Sequence, residues 1–156
     1  MNSVHEMITA SPAETVALGA AIGRGLRGGD FVALCGALGA GKTQLVKGLA
    51  AGLGVPAEEP VVSPTFVLVR EYAGRLKLYH IDAYRLAGLE DLLALGLEEM
   101  TREAGAAVAL EWADRVPGAA PAEALLIDLE HGGGDQRRLR LEWDAGRLEE
   151  LIRDKR

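Results

Sequence analysis

The sequence predicts a single α/β domain over residues 1–156, with a mixed central sheet flanked by helices. Three observations carry that reading. Phe31-Val32-Ala33-Leu34-Cys35 is a short apolar run that fits a strand buried on both faces. A glycine-rich segment follows it, and then Leu45, Val46, Leu49, Ala50 and Leu53 recur at helical spacing until Gly54 and Pro56 stop them. Further on, residues 66–72 and 76–81 flank the short connection Ala73-Gly74-Arg75 and read as an antiparallel hairpin, so the sheet is not purely parallel.

The remaining elements follow in order. Ser11-Pro12-Ala13-Glu14 has the form of a capping box with proline at the first helical position, which predicts a helix from Pro12 towards Leu26. Gly28-Gly29-Asp30 ends it, and the run from Phe31 is read as the first strand of the sheet. Leu89, Leu92, Leu93, Gly96, Leu97 and Met100 outline one further helix, which Gly88 and Gly96 weaken. Residues 106–110 form another buried strand. Residues 124–129 and 138–143 are closing strands around Gly132-Gly133-Gly134, before a short charged helix with Leu148, Leu151 and Ile152. There is no internal repeat and no long linker.

Composition narrows the function. With 156 residues and 49% hydrophobic content, one core is the economical expectation. No stretch reaches the roughly 18 to 20 apolar residues of a membrane span, and no basic segment at the N-terminus leads into an apolar run. A soluble, cytoplasmic protein is expected. The one cysteine, Cys35, rules out an internal disulfide and a cysteine zinc site and is expected as a small core residue. A net charge of -6 gives the molecule no general attraction for nucleic acid, so any RNA contact must be local or made by a partner. Arg137, Arg138 and Arg140 form the densest basic cluster, but their alternation with Leu139 and Leu141 describes the wet face of a strand.

Gly36-Ala37-Leu38-Gly39-Ala40-Gly41-Lys42-Thr43 matches the G-x-x-x-x-G-K-[ST] phosphate loop in full, between a predicted strand and a predicted helix. Small residues let successive N–H groups turn inward around an anion, and the helix that follows aims its positive end at the same place. Gly39, Ala40, Gly41, Lys42, Thr43 and Gln44 are therefore the expected nucleotide contacts. Lys42 would neutralise phosphate charge, and the Thr43 hydroxyl would reach Mg²⁺, a cation that prefers oxygen. Such a site also needs a carboxylate at the end of a neighbouring strand. Asp82 and Glu111 both qualify, and either could instead cap a helix or pair with Arg85 or Arg115. Ser63-Pro64-Thr65 could place a hydroxyl near the γ-phosphate, or be simply a turn. His80 reads as a half-buried strand residue rather than a base, and Trp112 as core packing that could also stack on a nucleotide or partner. No Asn-Lys-x-Asp segment of the guanine-specific kind occurs, which favours adenine.

Taken together, the phosphate loop, Ser63-Pro64-Thr65-Phe66, Tyr79-His80-Ile81-Asp82-Ala83-Tyr84-Arg85-Leu86 and Leu110-Glu111-Trp112 resemble the TsaE (YjeE) family, in order and spacing, over most of the chain. That resemblance implies a P-loop NTPase fold that binds ATP and Mg²⁺ with weak intrinsic ATPase activity. It also implies partnership with the TsaD and TsaB proteins in tRNA threonylcarbamoylation, with tRNA met through the complex. By the same resemblance Thr43 and Glu111 are the Mg²⁺ ligands, Asp82 is required for hydrolysis, and Thr65 is the switch-like residue. Phe66 stands where the family commonly has a tyrosine. Ser11 or its neighbours would approach the adenine, against the competing helix-cap reading, and Arg138 would reach the nucleotide from the closing strands. Two other classes share the loop: a small-molecule kinase, which needs an acceptor pocket and a basic lid, and an interaction module gated by nucleotide.

Overall fold

Seven strands lie side by side in the order β1-β7-β6-β2-β5-β4-β3 in the computed structural model, which describes residues 1–37, 39–64 and 68–155, with Asp154 and Lys155 described by backbone alone. The described elements are β1 (Asn2–Thr9), α1 (Pro12–Gly25), β2 (Phe31–Gly36), α2 (Lys42–Gly52), β3 (Val69–Ala73), β4 (Lys77–Asp82), α3 (Leu89–Ala94), α4 (Leu97–Arg102), β5 (Ala106–Glu111), β6 (Leu125–Gly133), β7 (Gln136–Asp144) and α5 (Ala145–Lys155). A single 3-10 turn, Ala113–Arg115, follows β5. Leu38 of the glycine-rich loop, and Thr65 and Phe66, expected as a switch residue and a strand start, lie outside the described residues. No helix among the described residues is long and apolar enough to cross a membrane.

The sheet is mixed, as expected. β2 runs parallel to both β5 and β6, and β4 runs parallel to β5. The hairpins β3–β4 and β6–β7 and the edge strand β1 pair antiparallel. Alternation along the central strands splits the core in two. Val32, Leu34, Ala107 and Ala109 face α1, α2 and α5, whereas Phe31, Ala33, Val108 and Leu110 face α3 and α4.

Two expectations need correction. Phe31–Gly36 is the second strand, because residues 2–9 already form β1, paired from Asn2↔Asp144 to Thr9↔Arg137. Its apolar residues sit at both parities, with Val4 and Ile8 exposed and Met7 turned toward the core, so no clean alternation marks it. The single helix expected from Leu89 is two short ones. Gly96 stands between α3 and α4 with φ 94°, a left-handed conformation that a continuous right-handed helix cannot contain.

α1 and α2 touch through backbone. A Cβ on Gly48 would lie 2.1 Å from the Val16 carbonyl oxygen, and one on Gly19 would lie 2.3 Å from that of Leu45. Gly23 and Gly52 meet the facing helix in the same manner. This contact holds α2, and hence the loop that precedes it, against the sheet. Gly48→Ala is expected to destabilise the fold. Overpacking against rigid backbone costs about 1–3 kcal/mol or more, which outweighs the roughly 1 kcal/mol gained in helix propensity. A denaturant midpoint equal to or above that of the wild type would contradict this.

Candidate functional site

β2 delivers the chain into the loop, and α2 receives it. Gly39 and Gly41 adopt φ 79° and 105°, conformations that a side chain disfavours, and Gly41 caps α2 without any side-chain hydrogen bond. The first amides of α2 therefore have no intrahelical partner, and Gly41, Lys42, Thr43 and Gln44 border a cavity of about 530 Å³. Gly39 borders it too, whereas the Ala40 side chain turns into the core, fully buried. An open helix N-terminus with a lysine beside it is chemically a seat for a polyphosphate.

Lys42 is almost buried, and its ammonium donates to the carbonyls of Gly36 at 2.5 Å and Ala37 at 3.0 Å. Its Nζ also lies 3.8 Å from the centre of the Trp112 ring. Burial pushes its pKa below the usual lysine range, and the negative charges of Glu111, Asp114 and Asp82 oppose that shift.

Both candidate carboxylates reach the same cavity. The parallel register pairs Asp82 with Glu111, so β4 and β5 end level with each other beside the loop. Asp82 is buried and accepts from the Tyr84 amide at 2.9 Å and from the Ser63 hydroxyl at 2.9 Å. Glu111 is buried as well and accepts from the Thr43 hydroxyl, 3.3 and 3.4 Å from its two oxygens. Thr43 and Glu111 thus offer a hydroxyl and a carboxylate side by side, a hard oxygen pair that fits Mg²⁺, which takes its other ligands from phosphate and water.

His80 is fully buried, not half-buried, with Nε2 2.5 Å from Oε2 of Glu111. Trp112 is partly buried: it packs against the core on the α3 and α4 side of the sheet, as expected, and also borders the cavity. It has φ 60°, uncommon for a bulky residue, and its ring stacks obliquely on Tyr84 at 4.9 Å between centroids.

Two expected contacts do not reach the cavity. Ser11 caps α1, its hydroxyl accepting from the Glu14 amide at 3.2 Å, and Pro12 and Thr15 border the cavity in its place. Arg138 lies on the opposite face of β7, bordering a second cavity with Cys35 and His131. Side chains alternate along a strand, so its neighbour Arg137, on the same face as buried Leu139, reaches the loop and donates to the Gly39 carbonyl at 3.4 Å. Tyr84, quoted from the sequence only as part of the segment from Tyr79 to Leu86, also borders the cavity, as does Asp135, which was not singled out. The parity of Leu139 and Leu141 would have favoured Arg137. Cys35 is half-buried, and burial, with Asp114 and Asp128 nearby, pushes its thiol up to about 11. It stays protonated at neutral pH and is a poor nucleophile.

The family model of the threonylcarbamoyl adenosine biosynthesis protein TsaE matches residues 9–139, a span that includes the loop, Asp82 and Glu111. The tRNA threonylcarbamoyladenosine biosynthesis protein TsaE of Treponema pallidum (strain Nichols) is 46% identical over 122 residues, 78% of this chain and 88% of that protein. The protein of the same name from Bacillus subtilis (strain 168) is 37% identical over 147 residues, 94% of this chain and 90% of its own length. The crystal structure of Bacillus subtilis YdiB superposes with a TM-score of 0.80 at 33% identity, covering 99% of this chain and 95% of that one. Sequence and fold agree along nearly the whole length, and the chain belongs to the TsaE family.

Proposed function

We propose that this chain binds ATP with Mg²⁺, hydrolyses it slowly, and thereby supports turnover of the machinery that makes tRNA threonylcarbamoyladenosine, acting with TsaD and TsaB proteins. The observation that carries the reading is the convergence of the open end of α2, Lys42, Thr43, Asp82 and Glu111 on one cavity. The relatives are by name tRNA threonylcarbamoyladenosine biosynthesis proteins, which supports extending that role to this chain. The reading includes a cytoplasmic location and, given the net charge of -6, contact with tRNA through the partners rather than directly.

In this reading the amides of α2 and the Lys42 ammonium hold the phosphates, and Thr43 and Glu111 hold the metal. Mg²⁺, when bound, supplies positive charge to the phosphate oxygens during transfer. Asp82, held through both oxygens by Tyr84 and Ser63, orients the attacking water and accepts its proton. Phosphoryl transfer depends mostly on positioning and charge stabilisation, so the isolated chain turns over slowly until a partner docks at the rim near Ser63 and Tyr84.

Lys42→Ala is expected to lower phosphate release from ATP by roughly 100-fold or more while leaving the circular dichroism spectrum unchanged. Near-normal release would remove the loop from the mechanism. Asp82→Ala is expected to separate the two steps, keeping ATP binding in a nucleotide titration while hydrolysis falls by roughly 100-fold or more. If a complex of that variant with TsaB and TsaD modifies tRNA for many rounds at the wild-type rate, hydrolysis is not what this protein contributes.

A further inference from the structure

Leu78, His80 and Asp82 alternate along β4 onto the side of the sheet that α2 covers. Register sets His80 beside Ala109 and Asp82 beside Glu111 on β5. A small residue at 109 leaves room for the imidazole between the sheet and α2. His80 is 0% exposed, and its ring lies 6.5 Å from that of Tyr72. Nε2 reaches Glu111, whereas Nδ1 has no hydrogen-bond partner among the described residues.

A carboxylate only accepts, so Nε2 bears a hydrogen toward Glu111, and Nδ1 is left without a partner among the described residues. Burying a polar ring with one nitrogen unsatisfied is unfavourable, and a leucine would fill the space without that cost. The imidazole is therefore explained by its one bond. Thr43 does not fix the carboxylate by itself, since its hydroxyl is 3.3 Å from one oxygen and 3.4 Å from the other. His80 contacts Oε2 alone and so selects one orientation.

We propose that His80 is a positioning residue: its Nε2–H holds Oε2 of Glu111 and fixes the carboxylate so that its free lone pairs and the Thr43 hydroxyl are preset as a divalent-cation site. The inference rests on the reading of Thr43 and Glu111 as Mg²⁺ ligands. Groups that orient a metal ligand from behind commonly set metal affinity without touching the ion.

The test compares two amides in the full chain. His80→Gln puts an N–H near the place of Nε2, and His80→Asn puts one near Nδ1, out of reach of Glu111. Mn²⁺ is titrated at fixed ADP and free ion is read by electron paramagnetic resonance, and ADP binding is measured separately in EDTA. The glutamine variant is expected to bind Mn²⁺ close to wild type, and the asparagine variant roughly 10–100-fold more weakly. ADP binding in EDTA should be equal in all three proteins. Wild-type Mn²⁺ affinity in His80→Asn overturns the proposal, as does a glutamine variant as weak as the asparagine one. Loss of ADP binding in EDTA also overturns it, because the role would then be general support of the fold. Glu111→Gln run alongside separates the two ideas: unchanged Mn²⁺ affinity there overturns the ligand reading itself, whereas a defect there with a normal His80→Asn overturns only the positioning role.

Discussion

Glu111 is a carboxylate with almost no access to water, and a group in that position has to be met by fixed partners. Much of the site is organised around that requirement. His80 meets one oxygen from β4, and Thr43 meets both from the first turn of α2. The Lys42 ammonium, also buried, is held up by the same negative charge against the loss of its hydration. Removing any one of these groups leaves the others with an unmatched charge or dipole. The acid is thereby tied to two strands and a helix that are far apart in sequence.

The architecture that allows this is the parallel run of β4, β5 and β2. Parallel strands end on the same edge, so the end of β2 with its loop, Asp82 and Glu111 arrive together. β5 lies between β2 and β4, and the next strand, β6, pairs on the far side of β2. Such a reversal of strand order opens a crevice at the carboxyl ends, the usual place for ligands in open α/β sheets. Glycines on α1 and α2 bring the two helix backbones into contact and set α2 at the height where its open amides border that crevice.

Trp112 and Tyr84 give the cavity an aromatic wall. They extend β5 and β4 just past the two carboxylates, and their rings stack on each other beside the Lys42 ammonium. The Arg115 guanidinium lies 4.5 Å from the centre of the Tyr84 ring and 5.5 Å from that of Trp112. Lys42 over Trp112 and Arg115 over both rings hold the pair in place through the negative faces of the rings. This support also accounts for a tryptophan standing at positive φ.

The sequence by itself determined the elements whose signal is local: the capped start of α1, the apolar run of β2, the glycine-rich phosphate loop, and the hairpin that makes the sheet mixed. It also narrowed the acids to Asp82 and Glu111, one at the end of the hairpin strand that closes on His80-Ile81 and the other after the apolar run 106–110. Tertiary structure decided the rest, because those choices depend on what lies across the sheet. β1 carries apolar residues at both parities and is a strand only because β7 offers it an edge. The parity of Leu139 and Leu141 already set Arg137 apart from Arg138, but that this face of β7 meets the loop is fixed only by the pairing of β7 with β6 and β1. His80 could be placed on a strand from its neighbours, but its bond to Glu111 exists only because β4 and β5 align Asp82 with Glu111, a register between segments about thirty residues apart that no local pattern encodes.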